Sequence, residues 1–220
     1  MLRKLVNKIR EIRFANSEKY KVYLEGSLLN AFYKTKTIFI HIPKTAGTSL
    51  VKSIYGDVSA EGHRNIFFYK KIFTNQLERY FKFCFVRNPY ERLYSSYKFL
   101  QKGGMNKHDE KAFTIHLKKY TDFESFVLNG LSKELLNEII HFIPQTNFIC
   151  SDKGVILVDF IGKFENLEED IKILEKKINL KISLPHLNRN KKENYLSVYT
   201  EEMMSKVKEF YKNDFEILGY

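Results

Sequence analysis

One lysine, three hydroxyl side chains and one glycine crowd into the stretch Lys44-Thr45-Ala46-Gly47-Thr48-Ser49. A tight turn of small residues leaves backbone N–H groups open to a ligand, Lys44 adds a mobile positive charge, and Thr48 and Ser49 add hydroxyl donors. That combination holds phosphate or sulfate. A second pair follows about forty residues later: Arg87 and, eight residues on, Ser95. A guanidinium and a hydroxyl can grip one phosphate together. Between the two lies His63, flanked by Gly62 and Arg64. An imidazole titrates near neutrality and suits a general base. Each has a plainer reading: a surface ion pair for Arg87, a helix-surface hydroxyl for Ser95, a solvated imidazole for His63.

The surrounding pattern says how such groups would be positioned. Residues 37–42, TIFIHI, read as a buried strand, and Pro43 cannot continue a sheet ladder. Leu50, Val51 and Ile54 resume at helical spacing, so a helix starts near Thr48. A strand, a tight loop and a helix N-terminus together favour an anion through free N–H groups and the helix dipole. Residues 81–86, FKFCFV, form a second strand by aromatic and β-branched content. Pro89 is suited to a first helical turn, and Tyr90, Leu93, Tyr94, Tyr97 and Leu100 recur at helical spacing. Arg87 therefore stands at the C-terminal end of a strand, the edge where open α/β sheets bind ligands.

Further along, Asn75–Tyr80 read as a short helix, and residues 101–137 as helical with breaks. Gly103-Gly104 end the helix that follows Arg87, and Thr121 or Asp122 can cap another through Val127. Residues 155–160, VILVDF, read as a third strand. Glu165-Asn166-Leu167 open a helix to about Lys177, and a last amphipathic helix runs from about Thr200 to Leu218. The sum is an α/β fold: a P-loop-like three-layer α/β/α domain with a mostly parallel central sheet over residues 37–220, preceded by a basic helical segment over residues 1–36.

Length and composition bound the function. The chain has 220 residues, enough for one domain with a substantial core. Its 37 Lys plus Arg against 26 Asp plus Glu give a net charge of +11, which attracts polyanions without choosing among them. Cys84 and Cys150 each lie near an apolar run and read as buried free thiols. No Cys/His cluster points to a metal, and no apolar run reaches the roughly 18 residues of a membrane span. The N-terminal Leu2, Leu5, Val6, Ile9 and Ile12 form an apolar stripe beside Arg3, Lys4, Lys8 and Arg10. That segment lacks the apolar core of a secretory signal, and it reads as a docking helix with scope for weak contact to an anionic membrane. The expected location is cytoplasmic.

A nucleoside triphosphate loop has the order G-x-x-x-x-G-K-[ST]. Here Lys44 precedes Gly47, and no GK[ST] occurs in the chain. An NTPase would also make Asp159 a metal-binding acid at a strand end.

The segments IPKTAGTSL and FKFCFVRNPYERLYSSY resemble the two cofactor motifs of sulfotransferases that use 3′-phosphoadenosine 5′-phosphosulfate. They are similar to the carbohydrate and heparan sulfate 2-O-sulfotransferase branch, sulfotransferase family 2. HFIPQTNFI, DFIGKFENLEED, LPHLNRN and YKNDFEILGY agree with it, and the likeness runs from about Ile38 to Tyr220. The resemblance implies that Lys44, Gly47, Thr48 and Ser49, with Thr45 and Ala46 in the same loop, bind the 5′-phosphosulfate. It implies that Arg87 and Ser95 bind the 3′-phosphate and that His63 is the catalytic base beside Lys44. Family members usually carry arginine at the position of Lys163. In the wider superfamily a late basic loop closes over the nucleotide, which points to Arg189 within residues 183–194.

The implied activity is metal-free transfer of a sulfuryl group from that donor to a hydroxyl, chiefly of a carbohydrate, with no nucleic acid partner. The animal relatives are anchored in the Golgi membrane; no anchor is expected here, and that location does not carry over. The competing readings are a P-loop nucleotide kinase or other phosphotransferase, and a non-catalytic polyanion-binding module.

Overall fold

The computed structural model describes residues 2–58, 62–184 and 195–220. Three strands form one sheet in the order β1-β2-β3: β1 (Thr37–Ile40), β2 (Phe81–Val86) and β3 (Phe160–Lys163). β1 and β2 run parallel, with Thr37 opposite Phe81 and Ile40 opposite Cys84. All four residues of β1 are buried, as in a sheet covered on both faces. The α/β class read from the sequence holds.

The helices in chain order are α1 (Leu2–Glu18), α2 (Leu28–Thr35), α3 (Gly47–Tyr55), α4 (Ile66–Phe73), α5 (Pro89–Gln101) and α6 (Lys107–Ala112). Then come α7 (Phe123–Gly130), α8 (Lys133–Glu138), α9 (Thr146–Ile149), α10 (Leu167–Ile178), α11 (Glu201–Phe210) and α12 (Lys212–Leu218). Their starts follow local chemistry. Asn65 accepts from the Phe68 N–H, Asp122 from Ser125, Ser132 from Leu135 and Thr200 from Met203. Each satisfies one of the orphan donors of a first turn. None of the described helices is long and apolar enough to cross a membrane.

The chain divides into two compact units. The first holds residues 1–42, 46–85 and 148–185. Its core is aromatic: Phe39 stacks on Phe83 at 5.2 Å, and Phe32 meets Tyr55 and Tyr69 edge-on. Such pairs add to the area they bury. Cys84 and Cys150 are both buried free thiols here, and burial pushes the Cys84 thiol well up. α1 docks in this unit, with Phe14 6.0 Å from Phe68 of α4. The second unit holds residues 43–45, 86–147 and 186–220. Its core gathers Leu93, Tyr97, Leu100, Phe126, Phe142, Met203, Val207 and Tyr211.

Two expected elements shift. The third strand does not cover residues 155–160; it begins at Phe160 and ends at Lys163. Residues 150–156 turn back on themselves instead, with Gly154 at φ 76° and Cys150 bridged antiparallel to Ile156. Val155 is 59% exposed, so its apolar side chain belongs to a turn and not to a strand core. Asp159 is bound at the start of β2: its Oδ2 accepts from the Lys82 N–H at 2.7 Å and pairs with Lys82 Nζ at 2.8 Å. The single long terminal helix is broken at Tyr211 (φ −108°, ψ 24°) into α11 and α12. The break is anchored by the Tyr211 hydroxyl, which donates to the Phe142 carbonyl at 2.7 Å.

Candidate active site

The loop after β1 is shaped by its backbone. Lys44 (φ 70°) and Ala46 (φ 64°) are both left-handed, and Thr45 between them is not. Left-handed backbone at a non-glycine costs on the order of 1–2 kcal/mol, and such strain collects at functional sites. Alternation of this kind turns successive N–H groups toward one side and makes a concavity for an anion. α3 starts at once at Gly47, one residue before the expected Thr48, and the Leu50 N–H donates to the Ala46 carbonyl at 3.1 Å. Gly47 has no alternative: a Cβ there would lie 1.8 Å from His41 Cδ2. Thr45 is buried, Ser49 half-buried and Thr48 exposed.

Arg87 leaves β2 under tight control. Its N–H donates to Gln145 Oε1 at 2.8 Å and its carbonyl accepts from Gln145 Nε2 at 2.8 Å. Gln145 is fully buried and is itself held, since its N–H donates to Asp214 Oδ2 at 2.8 Å. Asp214 Oδ1 also accepts from the Thr146 N–H and hydroxyl, both at 2.9 Å. With its backbone clamped, the Arg87 guanidinium donates to Glu91 Oε1 at 2.7 Å and to the Lys44 carbonyl at 3.2 Å. Ser95 lies one helical turn beyond Glu91 on α5 and is half-buried.

Lys44 Nζ sits 4.1 Å from the centre of the Phe99 ring, a cation–π contact. Burial, with the neighbouring Arg87 charge, lowers its pKa to about 8, while Asp109 pulls the other way. Asp109 is buried and its Oδ1 lies 3.0 Å from His141 Nε2.

His63 belongs to the first unit. Its Nδ1 is 3.0 Å from the His41 carbonyl, and its ring meets the His41 ring edge-on at 4.3 Å. A carbonyl only accepts, so Nδ1 carries the proton and the neutral imidazole has its lone pair on Nε2. His63 also lines a cavity with Phe14, Arg64, Asn65, Phe68 and Lys71.

These features sit inside a recognised pattern: the sulfotransferase family model matches residues 30–220. The chain belongs to the sulfotransferase family. Its reaction class is therefore sulfuryl transfer. It is similar to an uncharacterized protein of Archaeoglobus fulgidus, 32% identical over 130 residues, which cover 59% of this chain and 90% of that protein. No solved structure matches.

Within this sulfotransferase-family chain, the second unit brings Lys44 and Arg87 together, and the first unit holds Gly47, Thr48, Ser49 and His63. Arg189 lies outside the described residues. Among the described residues no group of three or more His, Cys, Asp or Glu side chains is placed to hold a metal ion. Gln145, Asp214, Phe99, Asp109 and His141 escaped the sequence reading. His141 and Gln145 stand in the quoted HFIPQTNFI segment and Asp214 in the quoted YKNDFEILGY, which were the available signals; Asp109 had none.

Proposed function

We propose that this chain transfers a sulfuryl group from 3′-phosphoadenosine 5′-phosphosulfate to an acceptor hydroxyl, that of a carbohydrate, by in-line displacement without a metal. The observation that carries the reading is the link between two cations: Arg87, one residue past β2, donates through Nη1 to the carbonyl of Lys44, four residues past β1. A donor with phosphate at two separate positions needs two cationic grips of fixed spacing. The local chemistry fits it: a loop with left-handed backbone at Lys44 and Ala46, a helix N-terminus, and Lys and Arg as charge donors. The carbohydrate acceptor rests on the likeness of both motifs to the carbohydrate branch.

The donor, when bound, supplies the sulfuryl group and a phosphate as leaving group. By analogy with phosphoryl transfer, the protein positions reactants and stabilises charge. Lys44 Nζ, as an ammonium, offsets negative charge at the leaving oxygen. The N–H groups of residues 45–49 hold non-bridging oxygens. The Arg87 guanidinium, with Ser95, binds the 3′-phosphate. His63 Nε2 takes the acceptor hydroxyl proton, a step that typically contributes roughly 10²–10⁴-fold.

The test is a metal-free calorimetric titration with adenosine 3′,5′-bisphosphate beside 5′-AMP and ATP-Mg²⁺. The reading requires tight binding that needs the 3′-phosphate and weakens in Arg87→Ala, followed by acceptor sulfation that His63→Ala abolishes. Preference for ATP-Mg²⁺, indifferent to the 3′-phosphate, would replace it with a phosphotransferase. Binding of none of the three, with strong heparin binding unchanged in Lys44→Ala, would leave a polyanion-binding module.

A further inference from the structure

We infer that Asp109 and His141, packed with Phe99, are positioning residues that keep the Lys44 ammonium charged and seated on that ring. The inference rests on the reading of Lys44 as the cation at the leaving phosphate.

The geometry is continuous within the second unit. The Phe99 ring faces Lys44 Nζ at 4.1 Å and the His141 ring at 4.9 Å. His141 Nε2 meets Asp109 Oδ1 at 3.0 Å. Asp109 Oδ2 accepts from the Met105 N–H at 2.9 Å and from Asn106 Nδ2 at 3.0 Å, so two donors fix the buried carboxyl group in place. The close turn beside it needs glycine: Gly104 has φ 67°, and a Cβ there would lie 2.1 Å from Asp109 Cβ. The other end of the pair is fixed as firmly. The His141 carbonyl accepts from Ser96 Oγ at 3.0 Å and from Arg92 Nη1 at 3.2 Å.

The charges explain the need. Burial disfavours the Lys44 ammonium most, and Arg87 just past β2 and Lys102 after α5 add their repulsion. The opposing negative charge at Lys44 comes from Asp109 on α6. Glu91 is spent on Arg87, at 2.7 Å. His141 must stay neutral for the device to work, because an imidazolium would cancel Asp109. Burial, Lys44 and Arg92 all favour the neutral ring against the pull of Asp109. The neutral ring donates from Nε2 to the carboxylate and leaves its charge intact.

The experiment follows Lys44 itself, by heteronuclear NMR of lysine-labelled protein with Lys44→Arg as the assignment control. Asp109→Asn lowers the Lys44 midpoint by about one pH unit, the scale on which a neighbouring charge acts, and moves the alkaline limb of kcat/KM by the same amount. His141→Gln, which keeps an N–H donor toward Asp109, leaves the midpoint near the wild-type value. Phe99→Leu preserves apolar packing, removes the ring, and lowers the midpoint as well; it is the second variant should Asp109→Asn not fold. An unchanged midpoint in Asp109→Asn, or in Phe99→Leu where Asp109→Asn does not fold, overturns the inference. So does an activity loss in Asp109→Asn that is the same at every pH, which marks a merely structural carboxylate. Midpoints that move in a protein unable to bind adenosine 3′,5′-bisphosphate uphold the coupling and overturn the proposed donor instead.

Discussion

Gln145 grips the peptide of Arg87 from both sides, accepting from its N–H and donating to its carbonyl, each at 2.8 Å. A side-chain amide here imitates the ladder of a neighbouring strand just where β2 has ended. The arrangement fixes the direction in which the guanidinium leaves the sheet edge. Gln145→Ala leaves two partly buried backbone groups without these bonds, and at about 0.5–1.5 kcal/mol each it destabilises the fold by about 1–3 kcal/mol. Denaturant unfolding measures that loss. The same variant should lose discrimination between adenosine 3′,5′-bisphosphate and 5′-AMP while retaining some affinity for both.

Asp214 is the anchor behind that clamp. It is fully buried and accepts three hydrogen bonds, from the Gln145 N–H and from the Thr146 N–H and hydroxyl. Asp214→Asn preserves the shape but replaces one acceptor oxygen with a donor, which then faces an N–H. The expected loss is about 1.5–3 kcal/mol, the range for hydrogen bonds to a charged group. A melting curve equal to wild type would show that α12 holds the clamp by packing alone.

Gly47→Ala sets two effects against each other. Alanine is better than glycine inside a helix by about 1 kcal/mol. The new Cβ would stand 1.8, 2.0 and 2.8 Å from three atoms of the His41 ring, so ring or loop must move. Sterics win, because a ring wedged against Phe39 at 5.7 Å and His63 at 4.3 Å cannot simply rotate away. Affinity for adenosine 3′,5′-bisphosphate should fall by about tenfold or more, equivalent to about 1.4 kcal/mol. Calorimetry on the folded variant checks it.

On the proposed mechanism, the Lys44 ammonium makes the reaction pH-dependent. In the free enzyme it titrates at about 8, held down by burial and Arg87. kcat/KM reports the free enzyme, so it should fall as pH rises through about 8. Stability runs the other way. The folded pKa lies below the ordinary lysine value of 10.5, so between about 8 and 10.5 the unfolded chain binds more protons and the fold gains stability as pH rises. Lys44→Met should remove the activity and this slope together. A kcat/KM profile flat from pH 7 to pH 10 would count against Lys44 as the charged group.

Local elements were legible in the sequence because local forces make them. The strand, loop and helix around Lys44 follow from a β-branched run, a proline and small residues, and they appear within one or two residues of the expected bounds. β2 and the proline-led start of α5 appear where they were read, as do the caps at Asp122 and Thr200. The third strand was misplaced because an apolar run says nothing about whether a neighbour covers it; Val155 is left in a turn, and Phe160–Lys163 pairs in its place. The clamp on Arg87 joins residues 58 apart, its anchor residues 69 apart, and the carboxylate beside His141 residues 32 apart. Sequence by itself determined which groups could hold an anion, through residue type and short-range periodicity. Only the tertiary structure decided how those groups are aimed and how strongly Lys44 keeps its charge, because burial and distant charges exist only once the chain has folded.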